Sequence, residues 1–502
     1  MKKLSKIIVV LLLSVSTITC VDLEIENTND PDIDFVLSSP EELKNYTAGL
    51  FNTWYNSEQH NFGSPGPAMW VMADWGSVTW ANYGCVDMSK EPRIFLNNSI
   101  SYAYHTAYRN FYRRMYRVVT SSNDVLKAIE GGIEIGENGN ETEMVKGMCY
   151  FMQGLGNGYI GLVYDQGFPS DETIEDYFSL EIQPYSVSIE MAIQELEKAI
   201  EIFDANSFTL PINWMSREFS SAEMSKIAHS FIARLLVYSS RNKDQNEAVD
   251  WQKVLSHAEA GITEDFTIQG DGNISSRKWM SWYKYYLARP SWGKVDMRVI
   301  NMIDNNLPAN WPENGIDDMP NDGQMNVSDA RATTDFEYDP SNNRPERGKY
   351  RWSTYRYSRL DDYINANFFA PVVMMRKTEI DLFKAEAHAQ LEQYGLAADI
   401  INAGTRVTRG NLTPISSNPE DVKNAIIYER TIELPLTGMG IQFFDMRRHG
   451  ELQDGSLLHF PIPAQQLEIL QMPTYTFGGI SPQYGVQNED VAIDGWYNAS
   501  ED

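Results

Sequence analysis

Aromatic residues crowd into two stretches of the sequence that lack a helical pattern, and flat aromatic rings are well suited to stacking on sugars. The first stretch contains Trp70, Trp75, Trp80 and Tyr83, with Asp74 and Asn82 beside them. The second contains Trp279, Trp282, Tyr283, Tyr285, Tyr286 and Trp292, with Arg289 nearby. A neutral sugar offers C–H patches to such rings and hydroxyl groups to the polar side chains.

These clusters predict a ligand-binding platform, and the residues proposed for it are Trp75, Trp80, Tyr83, Trp282, Tyr283 and Trp292. Small and polar neighbours surround Trp75, Trp80 and Tyr83, so no helical face is available to bury them and we expect all three to be exposed. The alternative is that most of these aromatic residues belong to the core, where large rings are usually buried.

Two carboxylates, Glu433 and Asp445, are of the kind that serve as general acid and base. Each has an arginine close in sequence, which keeps a carboxylate ionised. We therefore predict no catalytic residue and expect a charge network formed by Glu429, Arg430, Glu433, Asp445, Arg447 and Arg448. No Gly-x-Ser-x-Gly, Walker-type loop or His-Glu-x-x-His is present. A glycoside hydrolase stays open, because its carboxylates are scattered in sequence.

Metal and cofactor signals are weak. The loop from Asp317-Asp318 to Asn321-Asp322-Gly323 has oxygen ligands and a turn glycine, but its spacing does not match an EF-hand loop. We interpret it as a solvated acidic turn. No histidine or cysteine pair has metal-ligand spacing, and three cysteines are too few for a disulfide framework. We predict neither a metal nor a cofactor.

The N-terminus predicts export and a lipid anchor. Lysines at positions 2, 3 and 6 precede an apolar run from Ile7 to Leu13, which indicates a signal peptide over residues 1–19. Cys20 stands where a lipoprotein signal places its acylated cysteine, although Thr19 is an unusual neighbour. An ordinary signal peptide with a chance cysteine is the alternative. The acidic stretch 20–36 contains Pro31 and is interpreted as a solvated tether.

Composition excludes some classes of protein. Lys+Arg number 41 and Asp+Glu 69, a formal net charge of −28. Such an acidic chain is a poor partner for nucleic acid, because phosphates need a basic face that releases their counterions. Hydrophobic residues make up 42% of the chain and aromatic residues 12%, enough for a large core.

Elements with a helical period must position these candidate residues. Apolar residues step by three and four from Tyr104 to Val118, Met144 to Leu162, Ile189 to Phe203 and Met224 to Tyr238. Ser220 and Glu223 form a capping box before the last of these. Gly147, Gly154, Gly158 and Gly161 line one side of the second, which favours close contact with another backbone, unless its end is a loop.

The sequence predicts an all-α fold, a degenerate tetratricopeptide-like superhelix with a long irregular insertion. The stretch from Ala385 to Leu391, with Tyr394, Gly395 and Ala398, is typical of one repeat, but no strict period of about 34 residues runs through the chain. Repeated prolines place a loop-rich insertion at about 266–371. Helical-repeat parts are expected at about 37–265 and 372–472, with helices resuming at Val372–Leu391, Ala397–Ala403 and Asp421–Leu434, in one domain over 37–502.

Five segments follow one another in the second half of the chain. Arg376 to Ala387 fits R-x-x-E-x-x-L-x-x-A-E-A, Ile401-Asn402 precedes Arg406 and Arg409-Gly410, Tyr428 to Leu434 contains E-R-x-x-E-L, Asp445 to Gly450 contains D-x-R-R-x-G, and Pro461-Ile462-Pro463 ends the series. In this order they resemble the signature of the SusD/RagB family. Thr437 and His449 depart from the usual pattern, and the usual C-terminal Asn-Pro is not visible near 472–475.

The resemblance implies a cell-surface lipoprotein of the outer membrane that faces the exterior and is not an enzyme. It implies that the protein binds a glycan or another nutrient for a SusC-like TonB-dependent transporter, on a face that draws on loops from the two aromatic regions. Two other functions stay open. One is a secreted glycoside hydrolase on a helical scaffold, and the other is a tetratricopeptide-like adaptor that binds peptide on a concave face.

Overall fold

The fold is described from a computed structural model, over residues 38–60, 62–78, 80, 82–272, 278–309, 324–341, 352–480 and 492. The predicted signal peptide, Cys20, the tether and the acidic loop at 317–323 lie outside these residues. The helices of the N-terminal half are α1 (Pro40–Ala48), α2 (Leu50–Glu58), α3 (Gly66–Met72), α4 (Cys85–Met88), α5 (His105–Glu130), α6 (Thr142–Val163), α7 (Tyr185–Ala205), α8 (Ile212–Met215), α9 (Ser221–Tyr238), α10 (Lys243–Glu247) and α11 (Trp251–Glu259).

The remaining helices are α12 (Trp282–Ala288), α13 (Met297–Ile303), α14 (Arg331–Thr334), α15 (Asp361–Asn365), α16 (Lys377–Gln390), α17 (Tyr394–Ala403), α18 (Thr405–Thr408), α19 (Pro419–Glu433), α20 (Ile441–His449) and α21 (Ala464–Ile469). Two short 3-10 turns occupy Glu137–Gly139 and Tyr177–Ser179. Within the described residues, no helix is long and apolar enough to cross a bilayer.

The described strands are short and pair only as antiparallel ribbons of two. They are β1 (Gly76–Val78), β2 (Gln166–Gly167), β3 (Gln183–Pro184), β4 (Thr209–Leu210), β5 (Phe219–Ser220), β6 (Phe266–Gln269), β7 (Gly293–Val295), β8 (Phe336–Tyr338), β9 (Tyr355–Tyr357) and β10 (Pro371–Met375). The pairs are β1 with β7, β2 with β3, β4 with β5, β6 with β10 and β8 with β9. The all-α prediction is therefore confirmed, and two of the ribbons, β1 with β7 and β6 with β10, join segments that are distant in sequence.

Long helices pack in sequence order and form the array that the apolar spacing predicts. Helix α6 lies against both α5 and α7, α9 packs on α7, and α11 packs on α9 and α16. The capping box at Ser220 and Glu223 is present at the start of α9. Helix α16 then packs on α17 and α19 in the second helical part.

The glycines of α6 lie where neighbouring backbone approaches closely, as the sequence predicts. A Cβ at Gly154 would stand 3.0 Å from the carbonyl oxygen of Ala192, and one at Gly161 would stand 2.9 Å from that of Tyr185. The alternative that the end of this segment is a loop is wrong, because α6 continues to Val163.

One predicted helix begins too early. Val372 to Met375 forms strand β10, which pairs with β6, and α16 begins only at Lys377. Pro371 and the β-branched pair Val372-Val373 favour an extended backbone, and a partner strand about 100 residues earlier in the sequence supplies the hydrogen bonds.

Candidate functional site

The two aromatic stretches meet in space. Strand β1, from the first stretch, pairs with β7, from the second, with Gly76 opposite Val295 and Val78 opposite Gly293. Just beyond β1, the indole ring of Trp80 stacks on that of Trp292, with centroids 5.1 Å apart and planes 16° apart. The sequence places both rings at a ligand face but does not predict that they touch.

Glycines allow this approach. A Cβ at Gly293 would stand only 1.7 Å from the carbonyl oxygen of Leu287, and one at Gly76 would stand 2.8 Å from that of Lys294. Any larger residue at either position would push the strand away from its neighbour. The pairing of β1 with β7, and hence the stack of Trp80 on Trp292, depends on these two residues.

One side of α12 forms a row that continues the stack. Trp282 and Tyr285 share one side of the helix, Arg289 follows just after its last residue, and all three are half-buried, whereas Tyr283 and Tyr286 on the other side are buried. The rings of Trp282 and Tyr285 are 5.9 Å apart. The Arg289 guanidinium carbon lies 5.3 Å from the centre of the Tyr285 ring and 3.9 Å from that of Trp292, both cation–π distances.

Tyr83 lies at the centre of a second group of aromatic rings. Its φ of 61° is left-handed, a conformation uncommon for tyrosine. Its ring centroid lies 5.8 Å from that of Phe62, 6.3 Å from that of Tyr104 and 5.1 Å from that of Tyr286. Asn82 holds this turn, because its N–H donates to the Tyr286 hydroxyl and its side-chain oxygen accepts from the Tyr104 hydroxyl.

We call the accessible part of this surface the aromatic platform, made of Phe62, Trp80, Tyr83, Tyr104, Trp282, Tyr285, Arg289 and Trp292. Sequence reasoning missed Phe62 and Tyr104. Phe62 is a single aromatic residue followed by Gly63, Ser64 and Pro65, which is a weak sequence signal for a binding surface. In the structure 39% of Phe62 is exposed. The apolar spacing from Tyr104 to Val118 predicts that Tyr104 lies on the buried face of a helix. In the structure it precedes the first residue of α5 and is half-buried.

Two of the predicted platform residues are buried, so their predicted role at a ligand face is wrong for this conformation. Trp75 is fully buried, its indole N–H donates to the Thr431 carbonyl oxygen at 2.8 Å, and its ring lies 4.4 Å from that of Trp70. Tyr283 is 1% exposed. Its backbone N–H donates to the Gln59 carbonyl oxygen. Both residues connect the platform to the core.

The carboxylates of Glu433 and Asp445 belong to a buried charge network. Glu433 accepts hydrogen bonds from three arginines, Arg331 at 3.0 Å, Arg359 at 2.8 Å and Arg409 at 2.6 Å. Burial raises the pKa of Glu433, but these guanidinium groups outweigh it and hold the pKa below its usual value. A carboxylate held in this way cannot supply a proton near neutral pH.

Asp445 lies in a separate part of this network, on α20. It accepts hydrogen bonds from Arg430 at 2.7 Å and Arg448 at 2.8 Å, and these arginines overcome burial to bring its pKa to about 2. Arg447 instead donates to the backbone oxygens of Leu162, Tyr238 and Leu458. The predicted charge network is therefore present, except that Arg447 binds carbonyl groups rather than acids.

Two cavities lie away from the aromatic platform. One of about 410 Å³ opens between α16, α17 and α18, and another of about 410 Å³ lies between α10, α16 and α19. No platform residue lines either of them. Among the described residues, no group of three His, Cys, Asp or Glu side chains could hold a metal ion. The platform residues are half-buried, apart from the exposed Phe62, and present parts of their rings and polar groups at the surface.

Comparisons with known proteins give a consistent result. The SusD family model matches residues 291–488. A SusD superfamily protein from Parabacteroides distasonis has a similar structure, with a TM-score of 0.58 and 14% identity over 85% of this chain and 97% of that chain. A SusD-like protein from Bacteroides fragilis matches with a TM-score of 0.56 and 15% identity, over 83% of this chain and 87% of the other.

A SusD-like carbohydrate binding protein from Bacteroides vulgatus also shares the fold, with a TM-score of 0.54 and 15% identity over 82% of this chain and 83% of that chain. No curated protein matches the sequence. At these identities the structural likenesses show the fold, and the family model supplies the sequence evidence. The segment 291–488 is therefore SusD-like in sequence, and the shared helical fold and the five ordered motifs agree with that assignment to the SusD/RagB family.

Proposed function

We propose that this protein is a cell-surface lipoprotein that binds an oligosaccharide or polysaccharide without catalysis and delivers it to a SusC-like TonB-dependent transporter. The observation that carries the proposal is the stack of Trp80 on Trp292, which continues into the row of Trp282, Tyr285 and Arg289. Such a row offers flat faces to sugar C–H groups and a guanidinium to hydroxyls. The Bacteroides vulgatus relative, described as carbohydrate binding, supports the same class of ligand.

The route to the surface is part of this proposal. Residues 1–19 act as a signal peptide, Cys20 is acylated, residues 20–36 form a tether, and residues 37–502 form one domain that faces the exterior. The anchor is tested by fractionating cells that express Cys20→Ala beside wild type. Equal retention of both in the outer membrane would contradict the anchor. Protease treatment of intact cells tests the outward orientation separately.

Binding is tested by affinity electrophoresis of the full-length protein, in mild detergent, through gels that contain plant, host or microbial polysaccharides. We expect retardation by at least one of them, with a Kd of roughly 1 mM to 1 μM, because an open face recovers limited surface. Trp80→Ala should weaken the retardation. Retardation by no polysaccharide would contradict the proposal.

The hydrolase alternative is separated in the same samples. Release of reducing sugar from the retarding polysaccharide, above a heat-denatured control, would favour an enzyme over a binder. Delivery to a transporter is tested by gentle detergent extraction, in which a TonB-dependent protein should copurify. Its absence at every salt concentration would contradict that part of the proposal.

A further inference from the structure

A basic stripe runs along α5 in this acidic protein. The first acidic residue of the helix is Asp124, and the turns before it carry four arginines, Arg109, Arg113, Arg114 and Arg117. No carboxylate among the described residues forms an ion pair with any of the four. By contrast, several arginines of the second half, among them Arg331, Arg430 and Arg448, form ion pairs with buried carboxylates.

Arg114 is the member of this stripe whose charge is least satisfied. Its Nη1 atom is shielded from solvent and has no hydrogen-bond acceptor among the described residues. Burial, followed by the nearby Arg117, lowers the pKa of the guanidinium. Arg114 as a whole is half-buried, so part of its side chain stays at the surface. A partly desolvated cation without a counter-charge favours the binding of an anion.

The edge of the aromatic platform lies beside this guanidinium. A Cβ at Gly63 would stand 3.2 Å from Arg114 Nη1 and 3.9 Å from His60 Nδ1, so the three groups converge on one small space. His60 Nδ1 accepts the Phe62 N–H, and the two rings are 4.0 Å apart. Phe62 in turn lies 5.8 Å from Tyr83. The Arg114 guanidinium therefore lies beside the backbone segment that carries Phe62 at the edge of the aromatic platform.

We propose that the ligand of the platform is an acidic oligosaccharide, and that Arg114 binds the carboxylate or sulfate of a sugar whose ring packs near Phe62 and Tyr83. This inference rests on the proposed function and names its ligand class. The planar guanidinium can donate two parallel hydrogen bonds to either anion. The neighbouring rings favour a sugar over an acidic protein surface, because they match the C–H faces of a glycan.

The test compares each acidic glycan with its own neutralised form. Pectic, alginate, glycosaminoglycan and sulfated galactan oligosaccharides are titrated into the full-length protein, beside methyl-esterified or desulfated versions. We expect at least one acidic glycan to bind roughly tenfold or more tightly than its neutral form. Its affinity should fall between about 50 and about 500 mM salt, because screening weakens charge pairs. Whether esterification or desulfation removes the binding distinguishes a carboxylate from a sulfate.

Variants assign the effect to Arg114. Arg114→Gln should lose most of the preference for the acidic form, measured as the ratio of the affinities for the acidic and neutral forms, while Arg114→Lys should keep part of it. Arg217→Gln removes the same charge from an arginine that pairs with Glu223 and should change nothing. Thermal denaturation verifies that each variant folds. If Arg114→Gln does not fold, the wild-type protein still tests the acidic ligand class. The measurements are its affinities for each acidic glycan and the neutralised form, and the salt dependence of binding.

Four results would overturn the inference. The first is equal affinity for acidic and neutralised glycans. The second is unchanged acidic-glycan binding by folded Arg114→Gln. If a neutral glycan binds and requires Trp80, the proposed function stands and the acidic ligand class fails. If no glycan binds and Arg114→Gln alters only the recovery of a copurifying protein, an acidic protein surface is indicated and both proposals fail.

Discussion

The ring of Trp80 lies parallel to that of Trp292, 5.1 Å away, although the two residues come from segments on either side of most of the helical array. The guanidinium carbon of Arg289 lies 3.9 Å from the centre of the Trp292 ring and makes a cation–π contact with it. The Trp292 ring is thus fixed by its neighbours, and Trp80 extends the row toward Tyr83. Contacts of this kind restrict the rings in the free protein, and restricted rings lower the entropy cost of binding.

Truncation of two tryptophans should give opposite results. Trp80→Ala removes a half-buried stacking ring, so we expect affinity for the bound glycan to fall about tenfold, or about 1.4 kcal/mol, with little loss of stability. Trp75→Ala removes a fully buried ring and a hydrogen bond to Thr431, and should lower the free energy of unfolding by about 3–5 kcal/mol. Urea denaturation and glycan titration of both variants measure this contrast. Heavy destabilisation by Trp80→Ala would assign that ring to the core instead.

Gly293→Ala should disturb the platform through the backbone. The added Cβ would stand 1.7 Å from the Leu287 carbonyl oxygen, so β7 must shift and carry Trp292 away from Trp80. We expect reduced stability together with weakened glycan binding. Gly395→Ala is the matched control, because nothing lies within 4 Å of its Cβ in α17, and it should raise stability by about 0.4–1 kcal/mol. Equal behaviour of the two variants would show that β7 tolerates the change.

Glu433→Gln tests the interpretation of the charge network. Three arginines would face an amide in place of a carboxylate, and breaking a buried ionic group of this kind costs about 3–5 kcal/mol. Glu420→Gln, at the exposed start of the same helix, should change stability by no more than about 1 kcal/mol. Chemical denaturation of both variants provides the comparison. A Glu433→Gln protein as stable as wild type would show that the network contributes little.

A pair of histidines should make stability depend on pH. His229 Nδ1 lies 2.8 Å from His257 Nδ1, so one ring must donate to the other, and two protonated rings would place two donors face to face. Burial, followed by His229 and Lys253, lowers the pKa of His257 to about 4, and burial lowers that of His229. In the unfolded chain the imidazole of His257 has its ordinary pKa of about 6.5. In the folded protein its pKa is about 4, so the folded ring binds a proton only at lower pH.

The contribution of His257 is therefore fully present above pH 6.5 and is lost as the pH falls toward 4. Between pH 7 and pH 5 we expect it to lower the free energy of unfolding by about 2 kcal/mol. His257→Gln should make the loss over this range smaller by a similar amount in urea titrations. His388→Gln, whose ring bonds Gln393, serves as the control. An unchanged pH dependence in His257→Gln would rule out this histidine as its source.

The helical array could be predicted from the sequence because its apolar residues repeat locally. The glycines of α6 and the arginine-rich motifs around Glu433 are equally local, and their roles follow from spacing and charge. The burial of Trp75 could not be predicted in this way. It is covered by Phe336 and Tyr357 and bonded to Thr431, all more than 250 residues away, and no pattern near Trp75 reports them.

The half-buried side of α12 could have been predicted from the sequence. Trp282 and Tyr285 share one side of the helix, which separates them from the buried Tyr283. The prediction that residues 279–292 lack a helical pattern is wrong for Trp282–Ala288, which form α12. The proximity of Phe62, His60 and Arg114 has no such signal, because it arises only where a loop after α2 reaches α5.

The ribbon of β1 with β7 also determines when during folding the ligand face can exist. Gly76 and Val295 pair across roughly 220 residues of chain. Closing a loop of that length costs about 5 kcal/mol of chain entropy. The helices between the two strands bring the ends together as they pack, so the ribbon should form after them. A nascent chain that has not yet reached Val295 can build helices α5 to α9, but it has only half of the surface that a sugar would meet.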